Sequence, residues 1–189
     1  MLRTITVFSL SFLIFLVQDH KLIHEQPETS EVKIFEQQFG SKLIPSSSDV
    51  SYSISPDLCP AVNEYKFAEP MRFARPGKGL PPFVIEYYYA KSDSLVHCAI
   101  YTVVTPNDPR FEKLGMPIYE KIFSDLVSQL NNELGKPDLL DKEFKERENS
   151  EGTISTRKEV VWTKKNMIVE GKFYQSNKRI RLIQRWTDN

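Results

Sequence analysis

The chain has 189 residues, of which 40% are hydrophobic and 26% charged, a composition typical of folded proteins rather than disordered ones. Its 25 basic and 25 acidic side chains give a formal net charge of zero, so the charge balance does not indicate a nucleic-acid-binding protein. The sequence holds only 7 glycines and neither G-x-G-x-x-G nor GxxxxGK[ST], which excludes the usual glycine-rich phosphate-binding loops.

Residues 1–18 have the layout of a secretory signal. Arg3 precedes an apolar run from Ile5 to Val17, and polar residues follow at once. As a helix this run would span roughly 20 Å, less than the roughly 30 Å hydrocarbon core of a bilayer. No small-x-small pair ends the run, so the segment is expected either to be cleaved or to stay as an N-terminal anchor. We therefore predict an exported protein, periplasmic or secreted, that meets a membrane only through this segment.

Residues 19–82 are predicted to contain one short helix followed by an irregular, Pro/Ser-rich segment. The helix is expected near 29–40, where Thr29 or Ser30 is a suitable N-cap and Gly40 a suitable end. Prolines and serines then dominate 41–82, which favours irregular wrapping or a linker over regular structure.

Residues 83–189 are predicted to form the compact domain, which begins with a β-hairpin. FVIEYYY (83–89) and LVHCAIYTVV (95–104) are rich in aromatic and β-branched residues, and a polar loop of five residues joins them. Strict alternation would place Val96, Cys98 and Ile100 on one face of the second strand. His97 would then share the other face with Ala99 and Tyr101.

A long amphipathic helix is predicted next, and three strand-like runs follow it. Apolar residues recur there at spacings of three and four: Tyr119, Ile122, Phe123, Leu126, Val127, Leu130 and Leu134. Gly135 and Pro137 mark the end of the helix, and the acidic stretch 138–152 is expected to be a loop or a frayed helix. The runs near 153–163, 167–174 and 179–186 are separated by short turns. We predict an α+β fold, an antiparallel sheet with the long helix packed on one face.

The last strand concentrates positive charge on one side. Arg179, Arg181 and Arg185 alternate with residues that suit a core, and Lys158 and Lys172 on neighbouring strands are further candidates for the same surface. From residue 157 onward there are nine Lys and Arg against three Asp and Glu. Two interpretations stay open: a solvated face with partial salt bridging, or a surface that binds an acidic protein or another anionic partner.

The two cysteines, Cys59 and Cys98, are candidates for a disulfide if the protein is exported. The bond would close a loop of about 40 residues and stabilise the fold by roughly 3 to 4 kcal/mol on the chain-entropy model. The alternative is a buried free Cys98 and an unrelated Cys59.

No catalytic or metal-binding motif stands out, and we predict no cofactor and no metal. His20 and His24 lack a nearby third ligand. We favour a noncatalytic binding or accessory domain. A carrier of a small apolar ligand is the alternative, with strand residues Phe83, Ile85, Trp162, Phe173 and Trp186 lining the ligand. A small hydrolase using His97 ranks last, because alternation points Cys98 away from that histidine.

Overall fold

The computed structural model describes residues 21–45, 54–77, 80–104, 115–150 and 152–187. The predicted signal, the serine tract at 46–48 and His20 lie outside these ranges. The helices are α1 (Thr29–Gln38), a short 3-10 helix (Pro60–Asn63) and α2 (Met116–Leu134). The strands are β1 (Lys42–Ile44), β2 (Met71–Gly77), β3 (Leu80–Tyr89), β4 (Val96–Val104), β5 (Leu139–Leu140), β6 (Lys145–Glu148), β7 (Ile154–Lys164), β8 (Met167–Tyr174) and β9 (Ile180–Trp186). None of the helices in the described ranges has the length and apolar character of a membrane span.

All nine strands belong to one antiparallel sheet, which confirms the predicted fold class of an α+β protein dominated by an antiparallel sheet. The order is β1-β2-β3-β4-β9-β8-β7-β5, and β6 also pairs with β7. The predicted hairpin corresponds to β3 and β4, and the three later runs correspond to β7, β8 and β9. Strand β9 pairs with β4, so the C-terminal strands and the hairpin belong to the same sheet.

The sheet begins earlier in the chain than residue 83, the predicted start of the compact domain. Strands β1 and β2 lie inside the range 41–82, for which an irregular course was predicted, and β2 pairs with β3 from Met71↔Tyr87 to Gly77↔Leu80. Pro76 falls where the β2–β3 register shifts, a position at which the sheet tolerates the missing N–H of a proline. Leu22 and Val32 also belong to the main core, so residues before 41 share it.

The main apolar core contains side chains from strands and helices. The seven apolar residues that the spacing singled out in α2 are all buried in it. Phe123 of α2 lies 5.6 Å from Phe173 of β8 between ring centroids. The Trp162 indole N–H donates to the carbonyl oxygen of Gly135 at 2.9 Å, just beyond the helix end. We call the side of the sheet that carries this core the first face.

Helix α1 is joined to the first face by a buried ion pair. Arg75 of β2 donates from Nη2 to Glu36 Oε1 at 2.5 Å, and both side chains are 0% exposed. The Tyr87 hydroxyl donates to the same carboxylate oxygen at 2.6 Å. The helix is capped by Glu28, whose backbone N–H binds the Glu31 carboxylate, rather than by Thr29 or Ser30 as predicted.

The second face of the sheet is covered in its middle by residues 54–67, which we call the cover segment. This segment includes the 3-10 helix and contributes Ile54 and Cys59 to a second apolar cluster. The sheet contributes four side chains to that cluster: Tyr88, Cys98, Ile100 and Ile183. Part of the proline-rich region is thus a layer of the fold, because alternating strands supply apolar side chains to both faces.

The acidic stretch after α2 forms an interrupted edge strand rather than a loop or frayed helix. Strands β5 and β6 both pair with β7, on the side away from β8. Between them lies Asp141, which accepts hydrogen bonds from Lys145 at 2.5 Å and Arg147 at 2.6 Å. Charged side chains suit an exposed edge, where they oppose pairing with another chain.

A β-bulge in β4 overturns the prediction that His97 and Cys98 point to opposite faces. Tyr88 pairs with Cys98 and Tyr89 with Val96, so His97 is an extra residue. Val96 belongs to the main core, whereas Cys98 belongs to the second cluster. The His97 ring stacks on Tyr65 of the cover segment, with 4.0 Å between centroids. Strict alternation fails because a bulge shifts the phase of every residue before it.

Candidate functional site

The basic residues of β9 lie on the second face, beside the cover segment. Arg181 is paired in register with Lys172 of β8, so their side chains are neighbours across the two strands. Arg179 precedes Arg181 by two residues on the same side, and both arginines are half-buried. The structure therefore brings together three of the five cations that the sequence singled out.

Lys158 lies apart from this group, on the first face. Its register partner is Phe173, which is in the main core. Its ammonium group is 3.1 Å from Glu120 of α2 and 4.8 Å from the centroid of the Phe144 ring. Lys158 therefore pairs with a residue of α2 and is not part of the group on the second face.

Arg185 and Lys172 share one carboxylate, that of Glu170. Lys172 Nζ lies 3.0 Å from Glu170 Oε2, and Arg185 forms an ion pair with Glu170 Oε1. Both cations are largely buried, with 10% and 15% of their side chains exposed. This part of the basic face follows the salt-bridging interpretation, since each charge has a partner.

A cleft of about 210 Å³ opens where the cover segment meets β7, β8 and β9. We call it the basic cleft. It is lined by Ser55, Asp57, Leu58, Asn149, Thr153, Ser155, Arg157, Lys172, Tyr174 and Arg181. Three cations line it against one carboxylate, so the surface inside the cleft is positive although the whole chain is neutral.

Two charged residues that line the basic cleft, Asp57 and Arg157, are held by hydrogen bonds to neighbouring residues. The backbone N–H of Ser150 donates to both carboxylate oxygens of Asp57, at 2.9 and 3.1 Å. Burial opposes the charged form of Asp57, but these bonds prevail and the pKa of Asp57 is lowered. Arg157 donates to Ser155 and, at 2.6 Å, to Glu159. Asp57 and Arg157 therefore have partners of their own.

The Arg181 guanidinium, like that of Arg179, has no hydrogen bond and no ion pair with any residue in the described ranges, whereas Lys158, Lys172 and Arg185 each have an ion pair. The Nε atom of Arg181 is buried and unpartnered. Burial, and then the neighbouring charge of Arg181, lower the pKa of Arg179. Two half-buried arginines thus lie side by side, and an anion beside Arg181 would relieve both the missing hydrogen bonds and the repulsion.

The sequence interpretation missed most of the lining of the basic cleft. Ser55, Asp57 and Leu58 come from a segment predicted to be irregular, and Asn149 and Thr153 come from the turn between β6 and β7. Of the other lining residues, Ser155 and Arg157 could have been found, since alternation along β7 places both on the side opposite Val160 and Trp162, and Tyr174 follows Lys172 by two positions in β8.

A second cavity, of about 330 Å³, contains both Cys59 and His97 and is called the thiol cavity. Its further lining residues are Pro60, Ala61, Glu64, Tyr65, Ile168, Arg185, Trp186 and Thr187. Cys59 and Cys98 belong to the same buried apolar cluster, and Cys98 Sγ lies 3.6 Å from the carbonyl oxygen of Leu58. His97 Nε2 lies 3.8 Å from Asp93 Oδ2. These contacts do not join a thiol to the imidazole, as a Cys-His dyad would require.

The five aromatic and aliphatic strand residues suggested for an apolar carrier, from Phe83 to Trp186, are all members of the main core. Core packing is therefore sufficient to explain them. In the part of the chain that the structure describes, no three His, Cys, Asp or Glu side chains are grouped so as to hold a metal ion. His24 instead lies 2.9 Å from Glu133 of α2.

No protein-family model, curated protein or solved structure is detectably similar to this chain.

Proposed function

We propose that the protein is a noncatalytic binding domain whose basic cleft accepts an oxyanion, a carboxylate, phosphate or sulfate group carried by an acidic protein partner. This proposal depends on one observation, that the buried Nε atom of Arg181 has no hydrogen-bond acceptor among the described residues. A buried guanidinium N–H without an acceptor costs free energy that a bound anion would recover.

The chemistry of the lining supports an oxyanion rather than an apolar ligand. Arginine presents planar paired donors that match carboxylate and phosphate oxygens. Arg181 and Lys172 are adjacent in register, and the hydroxyls of Ser55 and Ser155 also line the basic cleft. A cleft of about 210 Å³ admits one such group, which is the scale of a side chain or a single substituent on a larger partner.

We infer that α2 covers the first face, as its apolar spacing predicts, and that binding takes place on the second face. The burial of the seven apolar side chains of α2 and the Phe123–Phe173 contact support this arrangement. The same inference makes the space between helix and sheet a packed core, so the basic cleft is a better binding site than an apolar cavity there.

We also propose that the protein acts outside the reducing interior of the cell, on the strength of the signal-like residues 1–18. Cell fractionation that finds the full chain in the cytosol would contradict this part of the proposal.

Calorimetric titration with inorganic phosphate, sulfate and acetate tests the oxyanion site. We expect millimolar affinity for at least one anion in low salt, weakened as chloride is added. Arg181→Gln removes the charge and should lower the affinity by about 10-fold or more, since a hydrogen bond to a charged group contributes about 1.5 to 3 kcal/mol. Lys33→Gln removes one positive charge from an exposed position on α1 and is the matched control.

Two results would contradict the proposal. One is the absence of binding heat with all three anions for the wild-type protein. The other is equal affinity in the wild-type and Arg181→Gln proteins, which would mean that any binding lies elsewhere. Comparison of the three anions identifies which oxyanion the basic cleft prefers.

A further inference from the structure

The two cysteines are the only ones in the chain, and the structure places their side chains together. Cys59 is the residue before the 3-10 helix of the cover segment, and Cys98 is the third residue of β4. Both are free thiols with 0% exposure, both belong to the second apolar cluster, and Cys98 Sγ lies 3.6 Å from the carbonyl oxygen of Leu58, the residue before Cys59. Their contact joins the cover segment to the sheet.

The two thiols differ in environment. The neighbouring Cys98 thiol lowers the pKa of Cys59, although burial opposes the shift. Burial raises the pKa of Cys98. Cys59 also lines the thiol cavity, which gives a small oxidant a path toward its sulfur atom. Cys59 is therefore the better nucleophile of the pair.

Cys59 is close in the chain to the wall of the basic cleft. Ser55, Asp57 and Leu58 line that cleft, and the backbone N–H groups of Leu58 and Cys59 both donate to the carbonyl oxygen of Ser55, at 2.9 and 3.1 Å. Residues 55–59 thus form one hydrogen-bonded turn. A covalent bond at Cys59 would therefore restrict the backbone of Ser55, Asp57 and Leu58, which line the basic cleft.

We propose that Cys59 and Cys98 form a reversible disulfide, and that this bond fixes the wall of the basic cleft and strengthens oxyanion binding. The bond itself stands on the contact between the thiols, and its effect on affinity rests on the proposed function. A disulfide requires the sulfur atoms to approach to about 2.05 Å, and Cys98 Sγ already lies 3.6 Å from the carbonyl oxygen of Leu58, the residue bonded to Cys59.

The oxidant is a small-molecule disulfide such as oxidised glutathione. The Cys59 thiolate attacks one sulfur of the oxidant, forming a mixed disulfide and releasing one glutathione thiolate. Cys98 then loses its proton and attacks Cys59 Sγ, which releases the second glutathione. Two protons leave the protein, two electrons reduce the oxidant, and the Cys59–Cys98 bond is formed.

Equilibration of the full chain in glutathione redox buffers, followed by intact mass and thiol titration, tests the bond. We expect a loss of two hydrogen atoms and of both titratable thiols in oxidising buffer, reversed by a dithiol reductant. Proteolysis of the oxidised wild-type chain should give one linked pair of peptides, containing residues 59 and 98, and this test needs no variant. Thiols that stay reactive after unfolding of the oxidised sample would overturn the proposal.

Titration of phosphate, sulfate and acetate against the oxidised and reduced forms tests the effect on the basic cleft. We expect the oxidised form to bind its preferred anion at least about fivefold more tightly, the lower end of typical coupling between sites. Cys59→Ala should lose the response to the redox buffer. Equal affinity in both forms, with Arg181→Gln still defective, would overturn the coupling and leave the proposed function standing. Bond formation without anion binding in either form would overturn both the coupling and the proposed function.

Discussion

Removal of either partner of the buried Glu36–Arg75 ion pair should be the most damaging single charge change in this fold. Both side chains are fully buried, and the Arg75 guanidinium carbon also lies 4.3 Å from the centroid of the Phe39 ring. Glu36→Leu would leave Arg75 as an uncompensated buried charge, and Arg75→Met would do the same to Glu36. Each change is expected to cost about 3 to 5 kcal/mol, a large share of the roughly 5 to 15 kcal/mol that stabilises a domain.

The double variant Glu36→Leu/Arg75→Met should be milder than the sum of the two single changes, because it buries no unpaired charge. Tyr87 and Ser41 would lose the carboxylate that accepts their hydroxyl protons, which costs about 1 to 3 kcal/mol. The expected coupling between the two sites is therefore at least about 3 kcal/mol.

Urea unfolding monitored by tryptophan fluorescence measures the four free energies, and Trp162 and Trp186 are both buried in the main core. Lys121→Gln is the control, since Lys121 pairs with Asp125 at 2.8 Å on α2 but is 50% exposed and should contribute under about 1 kcal/mol. The ion-pair prediction is wrong if each single change lowers the free energy of unfolding no more than the control does. It is also wrong if the double variant loses as much stability as the two single changes added together.

Two further changes test the edge strand and the packing of the sheet. Burial alone would raise the pKa of Asp141, but hydrogen bonds from Lys145 and Arg147 lower this pKa. The ionised Asp141 carboxylate therefore stabilises the fold at pH values above the unfolded pKa near 3.9, and this stabilisation is lost as the pH falls through the folded pKa. Asp141→Asn should lower the free energy of unfolding by about 2 kcal/mol at pH 7, and the variant should lose less stability than the wild type as the pH falls below about 5. An unchanged dependence of stability on acid pH would contradict this prediction. Gly171→Ala should cost about 1 to 3 kcal/mol in urea unfolding, because the new Cβ would lie 2.7 Å from Val160 Cγ1, and a variant as stable as the wild type would contradict that geometry.

The functional proposals depend on how the second face is divided between apolar and basic side chains. The cover segment buries Cys98 and Ile183 in the middle of this face, and the basic cleft lies beside it. Along β9, Ile183 separates Arg181 from Arg185. One arginine therefore faces the cleft, and the other pairs with Glu170.

Five of the nine described strands and the two longer helices were predictable from local patterns, whereas β1, β2, β5 and β6 were not. The spacing of apolar residues in α2 and the glycine at position 135 locate that helix from sequence alone. The structure places Gly135 immediately after the helix, at φ 80. The strands β7, β8 and β9 are likewise visible as β-branched and aromatic runs separated by short turns. These signals are local because helix caps, turns and strand alternation depend on residues a few positions apart.

The layers over the sheet and the composition of the basic cleft were decided by tertiary contacts. Residues 54–67 carry no periodic pattern, and they become ordered by packing Cys59 and its neighbours against side chains about 30 or more positions away in the chain. The sequence likewise gives no signal of the bulge at His97, since one extra residue changes the strand pairing without changing the composition.

Sequence by itself determined that this chain has an antiparallel sheet, where most of its strands lie, and that its last strand separates arginines from apolar residues. Tertiary structure alone decided which cations are paired, because Glu170 reaches Arg185 from a neighbouring strand, while Arg179 and Arg181 have no ion pair among the described residues. It also decided that Cys59 meets Cys98. Free energy of burial is set by what surrounds a side chain in space, and in a sheet most of those surroundings are distant along the chain.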